Sequence, residues 1–223
     1  MTAAYDAIAD WYDERIRQGA FLASDSLIES NCFEVIGDVQ GRLVCDLACG
    51  QGHMARGLAR RGARVVGVDI SVKLLEIARR EEEAQPLGIK YVHGDAEKLP
   101  TLSERPFDGV LCNLALMDIE DLGATLNEVA RNLREGGWFV ATITHPCYSI
   151  PANRGYFDEG FWRSDYSGGV RGQVGARHRT LSTYLSALGQ AGMLVEQAVE
   201  PQLPSRDVPP ILVLKSRRVA SPK

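Results

Sequence analysis

Cysteine is scarce in this chain and carries no pattern. Five of its 223 residues, Cys32, Cys45, Cys49, Cys112 and Cys147, make an odd number without a Cys-x-x-Cys pair. That argues against a disulfide framework and for reduced, partly buried thiols in a cytoplasmic setting. Histidine is rarer still, four in all, and no close-spaced ligand pair accompanies it, so no metal site is expected. Neither sign of charge dominates: 25 basic against 29 acidic side chains leave a net charge of -4. A basic field suited to nucleic acid or to anionic membranes is therefore lacking. The opening Met-Thr-Ala-Ala-Tyr-Asp has no basic-then-apolar leader pattern, and no apolar run is long enough to cross a bilayer. Repeats and a second-domain boundary are absent too. A soluble, cytoplasmic, single domain over residues 1–223 is the expectation, since 45% apolar content can bury one sizeable core.

What is present centres on Arg42 to Gly52. Leu43, Val44 and Leu47 form an apolar run of the length of a buried parallel strand, punctuated by Gly50 and Gly52. His53 to Arg61 then has helical composition and stops at Gly62. A strand, a Gly-rich turn and a helix make a nucleotide-sized site, because glycine lets the backbone bend and approach a ligand. Gly50-x-Gly52-x-x-Ala55 also satisfies a loose dinucleotide fingerprint. Two carboxylates sharpen the picture. Asp46 ends the first strand, where a buried acid needs a reason. Asp69 ends a second run, Arg64 to Asp69, placed to take both hydroxyls of a ribose.

The remaining chain reads as alternating elements. Residues 3–36 are helical, with Ile8, Trp11, Tyr12 and Ile16 on one face and a break near 17–24. Ser71 caps a helix to about Ala84, and the run Arg79 to Glu83 is its solvated end. Strands follow at Ile89–His93, Phe107–Asn113 and Trp138–Ile143, with a helix over Asp118–Arg134 and a turn at Glu135-Gly136-Gly137. Regularity fails from His145 to Arg179, where six glycines and two prolines interleave with Tyr148, Tyr156, Phe157, Phe161, Trp162 and Tyr166. So many rings need burial, which argues for order and a functional role. A helix at Thr180–Ala191 and strands at Met193–Val199 and Ile211–Lys215 close the chain, with a proline-rich turn between the strands and a frayed basic tail from Ser216. Gly50, Asp69, Asp95, Asn113 and His145 thus fall at five consecutive strand ends, the side of an open α/β sheet where ligands bind.

These segments resemble the class I S-adenosylmethionine-dependent methyltransferases. Val44 to Gly52 resembles their first motif, Val68-Asp69-Ile70-Ser71 their ribose segment and Phe107 to Asn113 their second motif. Gly94-Asp95-Ala96-Glu97-Lys98-Leu99-Pro100 is similar to a signature of the enzymes related to ubiquinone and menaquinone biosynthesis. The resemblance implies a Rossmann-like, doubly wound, seven-stranded sheet in an α/β/α sandwich, mostly parallel with a C-terminal antiparallel hairpin. It divides the single domain into N-terminal cap helices (1–36), a cofactor-binding core (42–144), a substrate insert (145–179) and a closing helix and hairpin (180–217). It implies S-adenosyl-L-methionine as cofactor and S-adenosyl-L-homocysteine as product. Tyr12, Asp46, Ala48, Gly50, Gly52, Asp69, Ile70, Asp95, Ala96, Asn113 and Leu114 would bind it, with Asp95 on the adenine amino group and the next amide on a ring nitrogen.

The implied activity is methyl transfer to nitrogen or oxygen of a small molecule by in-line displacement, where alignment and exclusion of water do most of the work. Tyr5, Met117, His145, Tyr148, Tyr156, Trp162 and Arg179 would line the acceptor pocket. His145, just after the fifth strand, is the expected general base, and His178 the second candidate. Each has a plainer reading: a backbone-bonded histidine at a strand exit for His145, a helix-entry cap for His178. His53 and His93 read as structural. Arg154, Arg163, Arg171, Arg177 and Arg179 of the insert suit carboxylate or phosphate recognition, or are surface charge. Two rivals stay open. A nicotinamide-dependent oxidoreductase matches the glycine pattern but lacks a Tyr-x-x-x-Lys pair, and a non-catalytic S-adenosylmethionine-binding module would keep the same motifs. A nucleic-acid methyltransferase fits poorly without a basic stripe or an Asn-Pro-Pro-Tyr-like motif. The acceptor's identity and the oligomeric state are not written in these residues.

Overall fold

Apolar runs separated by glycine turns fold into a sheet whose strand order reverses in its middle. The computed structural model describes residues 4–18, 22–148, 150, 154–203 and 207–219. A 3₁₀ turn (Ala4–Ile8) leads into α1 (Ala9–Arg17) and α2 (Leu22–Ile36), then β1 (Leu43–Leu47), α3 (His53–Arg60), β2 (Arg64–Asp69), α4 (Val72–Ala84) and β3 (Lys90–His93). There follow β4 (Phe107–Asn113), α5 (Leu122–Asn132), β5 (Leu133–Thr144), β6 (Gly160–Trp162), α6 (Val170–Gln173), β7 (Ala176–His178), α7 (Leu181–Gln190), β8 (Met193–Val199) and β9 (Ile211–Arg218).

The main sheet runs β3-β2-β1-β4-β5-β9-β8. Its first five strands are parallel, and β9 is antiparallel to both β5 and β8. Alternate residues feed two apolar layers. Val44, Val65, Leu111, Val140 and Val213 pack with Ile28, Phe33 and Leu58 of α2 and α3. Cys45, Val66, Val110, Phe139 and Leu214 pack with Leu126, Val129, Tyr184 and Leu188 of α5 and α7. Burying each of the larger side chains stabilises the fold by about 2–3 kcal/mol. Gly109 is glycine for a packing reason, since the Trp138 ring lies where a Cβ would stand. Among the described residues no helix is long and apolar enough to cross a membrane.

Several boundaries differ from the sequence expectation. The helix expected over Asp118–Arg134 begins only at Leu122, because Asp121 caps it by accepting the Ala124 amide. Residues 118–120 are thereby released to form a turn. Leu133 pairs with Phe107, so the expected Glu135–Gly137 turn becomes an irregular stretch inside β5. The insert is more regular than expected: β6 and β7 make a two-stranded antiparallel sheet, and the Arg177 amide ties it to Met117 O at 2.7 Å. The basic tail is paired rather than frayed as far as Arg218, with Ser216 opposite Phe139 and Arg217 bound to Glu196. Its last residues, 220–223, lie outside the described residues, as do 19–21 of the expected N-terminal break and 204–206 of the proline-rich turn.

Candidate functional site

Among the described residues two non-glycine residues adopt the left-handed conformation, Ala48 (φ 56°) and Leu114 (φ 51°). They end β1 and β4, the neighbours between which the strand order reverses. Such strain collects where a site over-determines the backbone, and a crevice at a reversal of strand order is where open α/β sheets bind ligands. Both residues line a cavity of about 300 Å³. Leu114 is held there by Thr142, whose Oγ1 accepts its amide at 2.9 Å and also donates to Asn113 Oδ1.

Asp69 and Asp95 face the same hollow, with Gly50, Ile70 and Ala96 beside them. Asp69 Oδ2 accepts the Gly50 amide and Oδ1 the Ser71 amide, both at 2.7 Å. Burial raises its pKa, and those two amides partly offset the shift. Asp95 closes its own turn by accepting the Glu97 amide at 2.9 Å. One acid for a sugar, a second for a base, apolar side chains between them and a glycine without a Cβ form a set suited to an adenosine. The residues present therefore fit the nucleoside part of the expected cofactor.

The roof comes from the N-terminal segment and the insert. Tyr5 and Tyr12 line the cavity and meet edge to face, centroids 5.4 Å apart. Asp6 Oδ1 accepts from Ser71 Oγ at 2.6 Å and from the Lys73 amide at 3.2 Å, pinning the 3₁₀ turn to the start of α4. Arg15 donates to Gly168 O of the insert at 2.7 Å. Phe161, Val174 and Arg177 complete the insert's share of the wall.

Of the residues expected from sequence, Tyr5, Tyr12, Ala48, Gly50, Asp69, Ile70, Asp95, Ala96, Asn113, Leu114 and Met117 are brought to this cavity. The others are placed elsewhere. Asp46 lies beneath the glycine turn, fully buried, bonded to the Ala55 amide, with Oδ2 unpartnered among the described residues. Burial, and secondarily the charge of Asp69, pushes its pKa up to about 8. Gly52 (φ 82°) starts α3, and a Cβ there would strike the Tyr91 hydroxyl.

The structure brings neither histidine to the cavity. His145 Nδ1 accepts the Cys147 amide at 3.1 Å, which leaves Nε2 as the protonated nitrogen of a neutral ring, donating to Glu200 Oε1 at 2.8 Å. His178 Nε2 is 2.8 Å from Tyr156 O, and the Tyr156 hydroxyl accepts the Leu181 amide. Arg179 is not among the residues lining the cavity either; it donates to Leu116 O, Ile119 O and Glu120 O at 2.7–2.8 Å. Tyr148 and Trp162 line a separate outer groove with Tyr166 and Arg171.

Sequence reasoning missed Asp118. It lines the cavity, accepts from the Tyr5 hydroxyl at 3.0 Å and pairs with Arg171. Burial raises its pKa and Arg171 opposes the rise, while burial and the Asp118 charge raise the Tyr5 phenol. The available signal was its place just beyond the end of β4, which its reading as a helix start concealed. Among the described residues no group of acids, histidines or cysteines is arranged to hold a metal.

Comparison with known proteins bears on this cavity. Residues 45–141 match the family described as "Methyltransferase domain". The chain is 30% identical to an S-adenosylmethionine-dependent methyltransferase of known structure from Mesorhizobium loti, covering 85% of this chain and 96% of that one, with a TM-score of 0.73. It is 31% identical over 139 residues to a ubiquinone biosynthesis O-methyltransferase of Alkalilimnicola ehrlichii, which is 62% of this chain and 56% of that protein. Over 141 residues it is 33% identical to the demethylmenaquinone methyltransferase of Thermobifida fusca, 63% of this chain and 59% of the other. The matched segment thus spans somewhat more than half the length of these two curated relatives.

Proposed function

The chain belongs to the S-adenosylmethionine-dependent methyltransferases, and from that membership we propose that it methylates nitrogen or oxygen of a small-molecule acceptor by in-line displacement. The observation that carries this reading is the convergence of Gly50, Asp69, Asp95 and Asn113, from four neighbouring strand ends, on one cavity. S-adenosylmethionine, when bound, supplies a methyl group already activated by a positively charged sulfur.

The chain's own tasks are then binding, alignment and exclusion of water. Asp69 holds the ribose and Asp95 the adenine. Ala48 and Leu114 bend their strands away so that the crevice stays open. Tyr5 and Tyr12 cover the reacting centre from the N-terminal side, and Phe161 and Val174 from the insert. His145 and His178, engaged elsewhere, keep structural parts in this proposal. Neither rival from the sequence gains an observation in its favour.

The test is calorimetric titration with S-adenosylhomocysteine. Wild-type protein is expected to bind it, and Asp69→Ala to weaken binding at least about tenfold through loss of charge-assisted hydrogen bonds. Tight binding that survives Asp69→Ala unchanged would count against the site as drawn.

A further inference from the structure

Five carboxylates line the cavity, and four have visible tasks. Asp69 holds the Gly50 and Ser71 amides, Asp95 closes its own turn, Glu97 accepts the Glu120 and Asp121 amides, and Glu120 pairs with Arg177. Asp118 differs from all of them. It is held by two side chains from far along the sequence: the Tyr5 hydroxyl on Oδ2 and Arg171 Nη1 on Oδ1. Arg171 is fixed in turn by donating to Gly175 O at 3.1 Å. A carboxylate offers about four lone-pair sites, so two remain. The side chain keeps 20% of its surface accessible although it sits deep, because it lines the cavity.

We propose that Asp118 receives the acceptor, accepting a hydrogen bond from an uncharged phenolic hydroxyl and taking its proton as the methyl bond forms. This inference rests on the methyltransferase reading and names the acceptor class within it. Charge selects a neutral group. Arg171 already balances Asp118 and Arg177 balances Glu120, so neither of these two carboxylates is left uncompensated to hold an ammonium ion. Shape selects a ring. Tyr5, Met117, Ile119, Phe161 and Val174 line the same cavity with aromatic and aliphatic surface.

In the reaction the acceptor's O–H bond breaks and the oxygen supplies the electron pair of the new O–CH3 bond. The C–S bond breaks with its pair remaining on sulfur. The proton passes to the Asp118 carboxylate and from there to water, and its release balances the charge lost by the sulfonium. Burial makes Asp118 a stronger base than a free carboxylate, whereas Tyr5 keeps its proton and can only orient.

The experiment uses the full-length protein saturated with S-adenosylhomocysteine and titrated calorimetrically with two probes of similar size, catechol and benzylammonium. Catechol is expected to bind and benzylammonium to bind at least about tenfold more weakly. Asp118→Asn, and separately Asp118→Glu, are expected to weaken catechol at least about tenfold while leaving the affinity for S-adenosylhomocysteine within about threefold. The affinity for S-adenosylhomocysteine also reports whether each variant folds. No catechol binding by wild type, equal catechol binding in the variants, or a preference for benzylammonium would each overturn the proposal. Failure of wild type to bind S-adenosylhomocysteine would instead remove the methyltransferase reading beneath it.

Discussion

Asp69 and Gly50 are joined side chain to backbone at 2.7 Å, so the acid that ends one strand also shapes the turn that ends its neighbour. The second oxygen of Asp69 fixes Ser71, the cap of α4. In the proposed reading, ligand recognition and local architecture share that carboxylate. Asp69→Asn, which replaces one acceptor by a donor facing an amide, is expected to lower stability by about 1–3 kcal/mol without any ligand present. Urea unfolding of the unliganded protein measures this.

Asp46 predicts a pH dependence. Folded, it holds its proton up to about pH 8; unfolded, it ionises near its ordinary 3.8. Between those values the folded state binds the extra proton, so this residue's contribution to stability falls as pH rises, by at most about 1.4 kcal/mol per unit. In Asp46→Asn that slope disappears. Denaturation of wild type and variant at several pH values from 5 to 8, about the span of the shift, should show the variant gaining relative stability as pH increases.

Arg179 should prove structural. Its guanidinium satisfies three carbonyls of residues 116–120, the turn that carries Asp118. Arg179→Met leaves those carbonyls without their charged donor and is expected to cost about 2–4 kcal/mol. Thermal unfolding should show the loss, and S-adenosylhomocysteine should restore part of it by binding the folded state.

The N-terminal turn depends on Asp6. Asp6→Ala removes a bond to Ser71 Oγ and one to the Lys73 amide, worth about 1 kcal/mol as a capping interaction. Hydrogen exchange over residues 4–17 should speed up severalfold while exchange in β1 and β4 stays unchanged.

Strands β1, β2 and β4 were legible because each is a short, largely buried apolar run, and strand ends were legible because glycine and aspartate mark them. Residues at such ends, Gly50, Asp69 and Asp95 among them, could be placed at the cavity from the sequence. Side-chain destinations decided by distant partners could not. His145 reads as an available base until Glu200, 55 residues on, takes its ring. The pairing of Gly160 with His178 depends on a fold-back of the insert that no local pattern announces. Asp118 was hidden by a helix start that Asp121 claims three residues later.

The Tyr5–Asp118 contact joins residues 113 positions apart, and the Arg171–Asp118 contact adds a third distant segment. During synthesis Tyr5 therefore waits until residue 118 has emerged, and Asp118 until residue 171, before each meets its partner. Contacts of such long sequence separation form late, and the weakest units of a native protein open first. The consequence is that the N-terminal turn and the insert are tied to one another through Asp118, so loosening either segment loosens the other's hold on the cavity.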